Sequence, residues 1–267
     1  MQADAGFERA AEGTRFAGQL QHLVSTGSTS TLAMEAAQAG ARTGVWVADE
    51  QTAGRGRGGH QWHSVAGDGL YVSVLVAPQI SPALARQLPM ATGLAVQAAV
   101  LEATGLALDL KWPNDLMLGE KKCGGILVES AAEAGVGAGL RFVVIGVGLN
   151  VNHGEFPPEL ALVATSLYRE SGRRFGREGL LAALLRALEL ELGRLEEGLA
   201  VYGRFAESSS WVLGKRVRVG EEGAESYTGW TRGLDENGFL LVESDDGGTR
   251  TVLSGGVRAF DPEWKRE

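Results

Sequence analysis

The run Ser208-Ser209-Ser210 divides the chain into two parts whose apolar residues repeat with different periods, and that division limits the folds open to it. Before it, Leu180, Leu181, Leu184, Leu185, Leu188, Leu192, Leu195, Leu199, Tyr202 and Phe205 follow helical spacing. This predicts one long core-facing helix over 177–205. After it, segments 215–219, 226–232, 239–242 and 250–253 read as short strands between glycine- and acid-rich turns. Four or five such strands in about 55 residues describe a small β-barrel. The expected organisation is a disordered lead-in over 1–15, an α/β body over 16–208 and a β module over 209–267.

Within the body, 31–39 reads as a short helix with its N-cap in the Ser28-Thr29-Ser30 cluster and Glu35 in an early turn. Segments 45–48 and 70–76 read as strands returning on one another across a long, functional connection. Segment 82–103 is a long helical candidate that Pro89 kinks or splits. Segment 106–111 is a strand ending at Trp112-Pro113-Asn114-Asp115, where the proline forces a turn. Strands over 123–129 and 141–149 follow, joined by a small-residue turn around 134–139.

The connection between the first two body strands carries Gly54, Arg55, Gly56, Arg57, Gly58 and Gly59, with no acidic residue from Gln51 to Gly67. Glycines let backbone approach a ligand closely, and arginine offers a planar fork of donors to carboxylate or phosphate oxygens. The loop reads as a small-anion site; taken alone, it equally allows a solvated surface loop or an RGG-like segment for nucleic acid. The whole chain has 25 Lys+Arg against 33 Asp+Glu, a net charge of −8. A diffuse basic surface for nucleic acid is therefore excluded, and an anion must be met by a local constellation. One cysteine, Cys123, rules out an intrachain disulfide and fits a reducing compartment. The first fifteen residues lack a basic n-region and an apolar h-region, and no stretch is long and apolar enough to span a membrane. A cytoplasmic protein without membrane partners is expected.

Three further segments carry chemistry. Lys111-Trp112-Pro113-Asn114-Asp115 gathers a cation, an aromatic plane, an amide and a carboxylate at a strand end; by itself it is also an ordinary strand exit with a buried Trp. Lys121-Lys122-Cys123-Gly124-Gly125 opens a strand in which the two lysines point to opposite faces, and glycine within a strand marks close approach of a ligand or another backbone. Gly146-Val147-Gly148-Leu149-Asn150 alternates glycine along one face, leaving a groove for a flat ligand. His22, His60, His63 and His153 have no metal spacing, and Cys123 reads as a small buried side chain.

In this order the segments resemble the biotin protein ligases. The likeness rests on Gly27-Ser28-Thr29-Ser30, on Gln51 through Arg57 with Trp62, on Lys111 through Asp115, on Lys122 through Glu129 and on Gly146 through Asn150. Arg232-Gly233-Leu234-Asp235 to Gly238-Phe239-Leu240-Leu241 looks like that family's C-terminal module. The resemblance implies an α+β fold: a class II aminoacyl-tRNA synthetase-like mixed sheet with helices, then a small SH3-like β-barrel. It implies a ligase that makes biotinyl-5′-AMP from biotin and ATP with Mg²⁺. Biotin then passes to a lysine of a biotin carboxyl carrier protein domain of a carboxylase.

By the same resemblance, Ser28, Thr29, Ser30 and Gln51 would hold the ureido ring. Gly54, Arg55, Gly56 and Arg57 would lie along the carboxylate and phosphate, with Trp62, Gly124 and Gly125 beside biotin. Lys122 would contact the reacting carboxylate and α-phosphate. Arg57, Lys111, Trp112, Asn114, Asp115, Lys122 and Asn150 would serve the nucleotide, and Asp115 would help hold Mg²⁺, directly or through water. The expected catalytic set is Lys122, Arg55, Arg57 and Asp115.

The sequence departs from the family pattern in carrying Ser30 where Asn is common, and Gly58 and His60 where some members have arginine. About twenty residues precede Gln21, too few for the operator-binding domain that some members carry, so no DNA binding and no repressor activity are expected. The family includes monomers and dimers, and strand edges near Val143 could pair two copies as a homodimer. The alternative in the same superfamily is a lipoate ligase or octanoyltransferase; from another class, a non-enzymatic RNA binder.

Overall fold

The computed structural model describes residues 5–132, 139–220, 226–254 and 256–260. In chain order, α1 (Ala5–Ala10), β1 (Leu20–Thr26), α2 (Thr29–Gln38), β2 (Gly44–Gln51) and β3 (Gly69–Val76) lead to α3 (Pro82–Ala85) and α4 (Leu88–Thr104). Strands β4 (Asp109–Lys111), β5 (Asp115–Leu118), β6 (Lys121–Ala132) and β7 (Leu140–Asn150) follow, then α5 (Leu167–Ser171), α6 (Arg177–Glu196) and α7 (Tyr202–Glu207). These strands form one sheet in the order β1-β2-β3-β7-β6-β5-β4. Only the β1–β2 pair is parallel; the other neighbours run antiparallel, so the sheet is mixed.

Alternation along the strands decides what each face meets. Val45, Val47, Val72, Val74, Val143, Ile145 and Val147 join the main core with α1, α4 and α6. Trp46, Leu75, Phe142 and Val144 point the other way, onto Ala33 and Ala37 of α2. This second face carries the site. Val143, expected at an edge, lies in the middle of the sheet, bonded to Val76 on one side and Ser130 on the other. It offers no surface for a second copy; the outer strands are β1 and β4.

Pro89 splits the expected helix over 82–103: it sits in the first turn of α4, where its missing N–H costs nothing. The leucine stripe over 177–205 is broken as well. Gly198, at φ 77°, ends α6, a left-handed conformation suited to glycine; Leu199 turns outward, and α7 returns Phe205 to the core. Glu191, though on the buried face of α6, is bonded to both Arg194 and Arg204 and so joins α6 to α7. Glu35 lies beyond the first turn of α2.

The lead-in expected to be disordered is structured from Ala5 onward: Phe7 and Phe16 are fully buried, and α1 packs on α6. Two aromatic side chains nine positions apart are too sparse to register as a periodic pattern. Residues 1–4 lie outside the described residues, as do 133–138, which hold most of the expected turn.

The C-terminal part is a five-stranded antiparallel sheet, the SH3-like module. Its strands β8 (Leu213–Val219), β9 (Tyr227–Leu234), β10 (Leu240–Ser244), β11 (Thr249–Val252) and β12 (Val257–Ala259) lie in the order β11-β10-β9-β8-β12. The indole of Trp112 donates to the carbonyl of Gly238 at 3.0 Å, fixing a turn of this module against the Lys-Trp-Pro-Asn-Asp segment. Arg232 is an exposed strand arginine paired with Glu243.

Candidate functional site

On the α2 face of the sheet, Gly146 and Gly148 of β7 follow Val144 at alternate positions, and Gly125 of β6 pairs directly with Gly148. Without side chains, these positions form a trough running away from the N-terminus of α2. A Cβ at Gly146 would meet Ser30 Oγ at 2.8 Å. A Cβ at Gly148 would stand 2.5 Å from the Trp62 indole, and one at Gly125 would lie 3.2 Å from it. Glycine is required there because Trp62, delivered by the glycine loop, lies over the strands. The trough is lined further by Gln51, Val72, Asn114, Lys122 and Leu127, with Arg55, Gly56 and Arg57 at its mouth.

The loop joins antiparallel β2 and β3, as the sequence predicts. It folds back on itself: Arg55 bridges Gln61, Gly56 N–H donates to His60 O at 2.7 Å, and Trp62 N–H donates to Gly54 O at 2.9 Å. Gly58 (φ 67°) and Gly59 (φ 82°) make the reversal between the arginines and Trp62. A Cβ on Gly54 would stand 2.7 Å from the Trp62 carbonyl, so this glycine packs the loop and does not face the trough.

At the closed end, the hydroxyls of Thr29 and Ser30 bond Ser73 Oγ (2.8 and 3.0 Å), and Gln51 Oε1 accepts from Thr29 N–H at 2.9 Å. The Gln51 amide in turn donates to Ser64 Oγ at 3.3 Å. Ser73 escaped the sequence reading; its signal is a lone hydroxyl inside an otherwise apolar strand, fully buried. Ser28 Oγ and Trp62 Nε1 are buried without hydrogen-bond partners among the described residues. Orphaned buried polar atoms are costly, and the Trp62 indole N–H, on a residue that lines the trough, points to a polar ligand that satisfies it.

At the open end, Lys122 Nζ bonds Asp115 Oδ1 at 2.5 Å, and Lys111 Nζ bonds Asp115 Oδ2 at 3.2 Å. Burial raises the Asp115 carboxyl, but Lys122 and Lys111 outweigh it and hold the group below the ordinary range. Lys122 also lies 5.7 Å from the Trp62 ring centre, so the ammonium spans from the carboxylate to the trough. Lys122 is fixed through its backbone as well: its N–H donates to Val163 O and its carbonyl accepts from Thr165 N–H. Lys111 turns away, toward Trp211 at 5.0 Å, and does not reach the trough.

A second pocket lies against the β module, lined in part by Trp112, Pro113, Met90, Gly238 and Phe239; it shares Arg57, Asn114, Ile126 and Leu127 with the trough. Arg57 is exposed and forms no ion pair among the described residues. Asn114 is held by its amide donating to Ile126 O at 2.9 Å.

Several sequence-predicted residues stand elsewhere. Gly124 faces Leu116 and Leu149 on the core side, by strand alternation. Asn150 is buried, its amide donating to Thr165 O at 2.9 Å, and it lines neither pocket. Cys123 is buried and unpaired; burial pushes its thiol up, as for an inert core residue. Both oxygens of Asp115 are taken by ammonium groups, and no cluster of three metal-ligating side chains occurs among the described residues. Direct Mg²⁺ ligation by Asp115 does not fit this arrangement.

Residues 23–150 match the model of the biotin/lipoate A/B protein ligase family, and residues 212–257 match the biotin protein ligase C-terminal domain. The bifunctional ligase/repressor BirA of Bacillus subtilis is 36% identical over 234 residues, covering 85% of this chain and 71% of that protein. The biotin–[acetyl-CoA-carboxylase] ligase of Mycobacterium tuberculosis is 34% identical over 89% of this chain and 87% of its own. The chain belongs to the biotin protein ligase family. Among solved members, the Aquifex aeolicus biotin protein ligase in complex with biotin and ATP superposes with a TM-score of 0.73 at 32% identity, covering 90% of this chain and 97% of that one. The mixed sheet followed by a separate antiparallel sheet is that family's architecture.

The loop of this family member has a fixed stem. Tyr71 Oη accepts from Val65 N–H at 2.8 Å and lies 3.1 Å from His153 Nε2. Burial pushes the His153 imidazole down to about 4; Asp68 opposes that shift, and His63 assists it. Its folded pKa is below its unfolded value, so the unfolded chain takes up the proton first as pH falls. Stability is therefore lost between about pH 6.5 and 4, by about 3 kcal/mol for this group. Urea melts at pH 7 and pH 4.5 are expected to show a smaller drop for His153→Gln than for the wild type; equal drops would remove His153 from this role.

Proposed function

We propose that this biotin protein ligase seats biotin in the glycine trough, with the ureido ring at the N-terminus of α2 and the carboxylate at Lys122. The supporting observation is the junction itself: the glycine trough ends at an ammonium group. Beside it, Arg57 and Asn114 face both the trough and the neighbouring pocket. Ser28, Ser30 and Gln51 supply polar contacts at the ring end, and the Trp62 indole covers the apolar body. ATP places its phosphates at the shared rim, near Arg57 and Asn114.

The reaction joins two anions: the biotin carboxylate attacks the α-phosphorus of ATP, forming the acyl–phosphate bond and releasing pyrophosphate. Positioning removes much of the entropic barrier, and fixed cations stabilise charge on the phosphoryl oxygens. Lys122 is the central group, since its ammonium is already at the trough. Asp115 and Lys111 act behind it. Asp115 aims the ammonium, and Lys111 neutralises the second carboxylate oxygen, which frees Lys122 to turn toward the anions. Mg²⁺, if bound with the nucleotide, would neutralise phosphate charge; with both Asp115 oxygens taken by Lys111 and Lys122, Asp115 would act on it through water and not as a direct ligand. In the second step, a neutral lysine amine of a biotin carboxyl carrier domain attacks the acyl carbonyl and AMP leaves.

The reading extends to an enzyme without operator binding, supported by the net charge of −8; no helix among the described residues is long and apolar enough to cross a membrane. A lipoate-ligase reading is not favoured. The test is incubation with ATP, Mg²⁺ and an apo-carrier domain, supplying either biotin or lipoate, followed by mass spectrometry. One added biotinyl group and no lipoyl group is the expected result; lipoylation of the carrier would overturn the reading.

A further inference from the structure

We propose that Glu129 holds the glycine loop shut across the trough by keeping Arg55 stretched over its mouth. Arg55 Nη1 donates to Glu129 Oε2 at 2.9 Å and Nη2 to Oε1 at 2.6 Å, a two-pronged pair between residues 74 positions apart. Glu129 stands on β6 in alternation with Gly125 and Leu127, which line the trough, so its carboxylate is on the ligand face just beyond the site. The loop's backbone bonds from Arg55 to Trp62 are internal to it. Among the described residues, the Arg55–Glu129 pair is the ion pair that joins this loop to the sheet.

The bonding mode matters. Both prongs leave from the terminal nitrogens, so the Nε–H of Arg55 stays available to a bound anion while Glu129 keeps hold of the guanidinium. The inference rests on the trough being the biotin site. Biotinyl-adenylate is a mixed anhydride that water destroys, and the enzyme must keep it until a carrier lysine arrives. A clasp across the mouth serves that need. Because Arg55 and Glu129 are partly exposed, salt should loosen the clasp: the screening length falls from about 8 Å near 0.15 M to about 3 Å at 1 M.

The experiment follows pyrophosphate release by wild type and Glu129→Gln with biotin and Mg-ATP, without carrier. A burst reports adenylate formed on the enzyme, and the slow phase after it reports adenylate lost. Wild type should give a burst of one equivalent and a slow phase that quickens from 0.05 to 0.5 M KCl. The E129Q enzyme should keep the burst and lose adenylate about 3- to 10-fold faster, with little response to salt, as for removal of one well-formed ion pair. A normal burst with an unchanged slow phase in E129Q would sink the clasp alone, and so would a lower biotin KM without faster loss, which would make Glu129 a competitor for Arg55. If E129Q fails to fold, the wild-type salt profile decides, a flat one overturning the proposal. Absence of any burst in wild type would instead sink the biotin reading.

Discussion

Replacement of Lys122 by alanine is expected to slow biotinyl-adenylate formation by about 100- to 1,000-fold while leaving the chain folded, the usual cost of deleting one fixed electrostatic stabiliser. The side chain contributes little to packing: it is part-exposed, and its contacts are the Asp115 carboxylate and the Trp62 ring face. Asp115 keeps Lys111 as a partner, so the deletion does not strand a buried charge. Pyrophosphate release in the first turnover reads the chemical step, and circular dichroism checks the fold. A first turnover within threefold of wild type would remove Lys122 from the chemistry. Lys122→Arg is expected to recover little, because a bulky planar fork does not replace a compact ammonium above Gly125.

The second large effect is expected from a residue with no functional group. Gly148→Val places a branched side chain where an added Cβ already lies 2.5 Å from the Trp62 indole. Either the indole lifts away or the strand shifts. Overpacking of this kind costs about 1–3 kcal/mol. Because the valine also fills the trough floor, biotin affinity is expected to fall by about 10- to 100-fold, while β7 keeps its strand conformation. Calorimetric titration of biotin into both proteins decides it. Unaltered affinity with an intact fold would mean that biotin does not lie on this floor.

The sequence made the local pieces of the site legible, and distance in sequence hid the rest. The hairpin around the glycine loop could be read because two apolar runs flank a stretch poor in acids and rich in glycine. The alternating glycines of β7 could be read as a groove because a strand rarely gives up side chains on one face without a reason. Trp62 was visible, but not that it would lie over Gly125 and Gly148, a contact set by three separate segments. Glu129 was visible only as part of a motif; its pairing with Arg55 depends on how the loop folds over β6. Asn150 was assigned to the nucleotide by resemblance to the family, whereas folding spends its amide on the carbonyl of Thr165. Among the helices, the leucine stripe ran smoothly through Gly198, since periodicity does not register one residue in a left-handed turn. The short β5 and the outer β1 were missed for want of length and of a clean alternating pattern.

The central claim is that the trough presents biotin's carboxylate to the ammonium of Lys122. It is tested most directly by tryptophan-fluorescence titration of wild type and Lys122→Ala with biotin and with its uncharged analogue biotinamide. Wild type is expected to bind biotin about tenfold or more tightly than the amide, as one charge-assisted contact allows, and Lys122→Ala to bind the two alike. Equal discrimination by both proteins would contradict it, placing the carboxylate elsewhere.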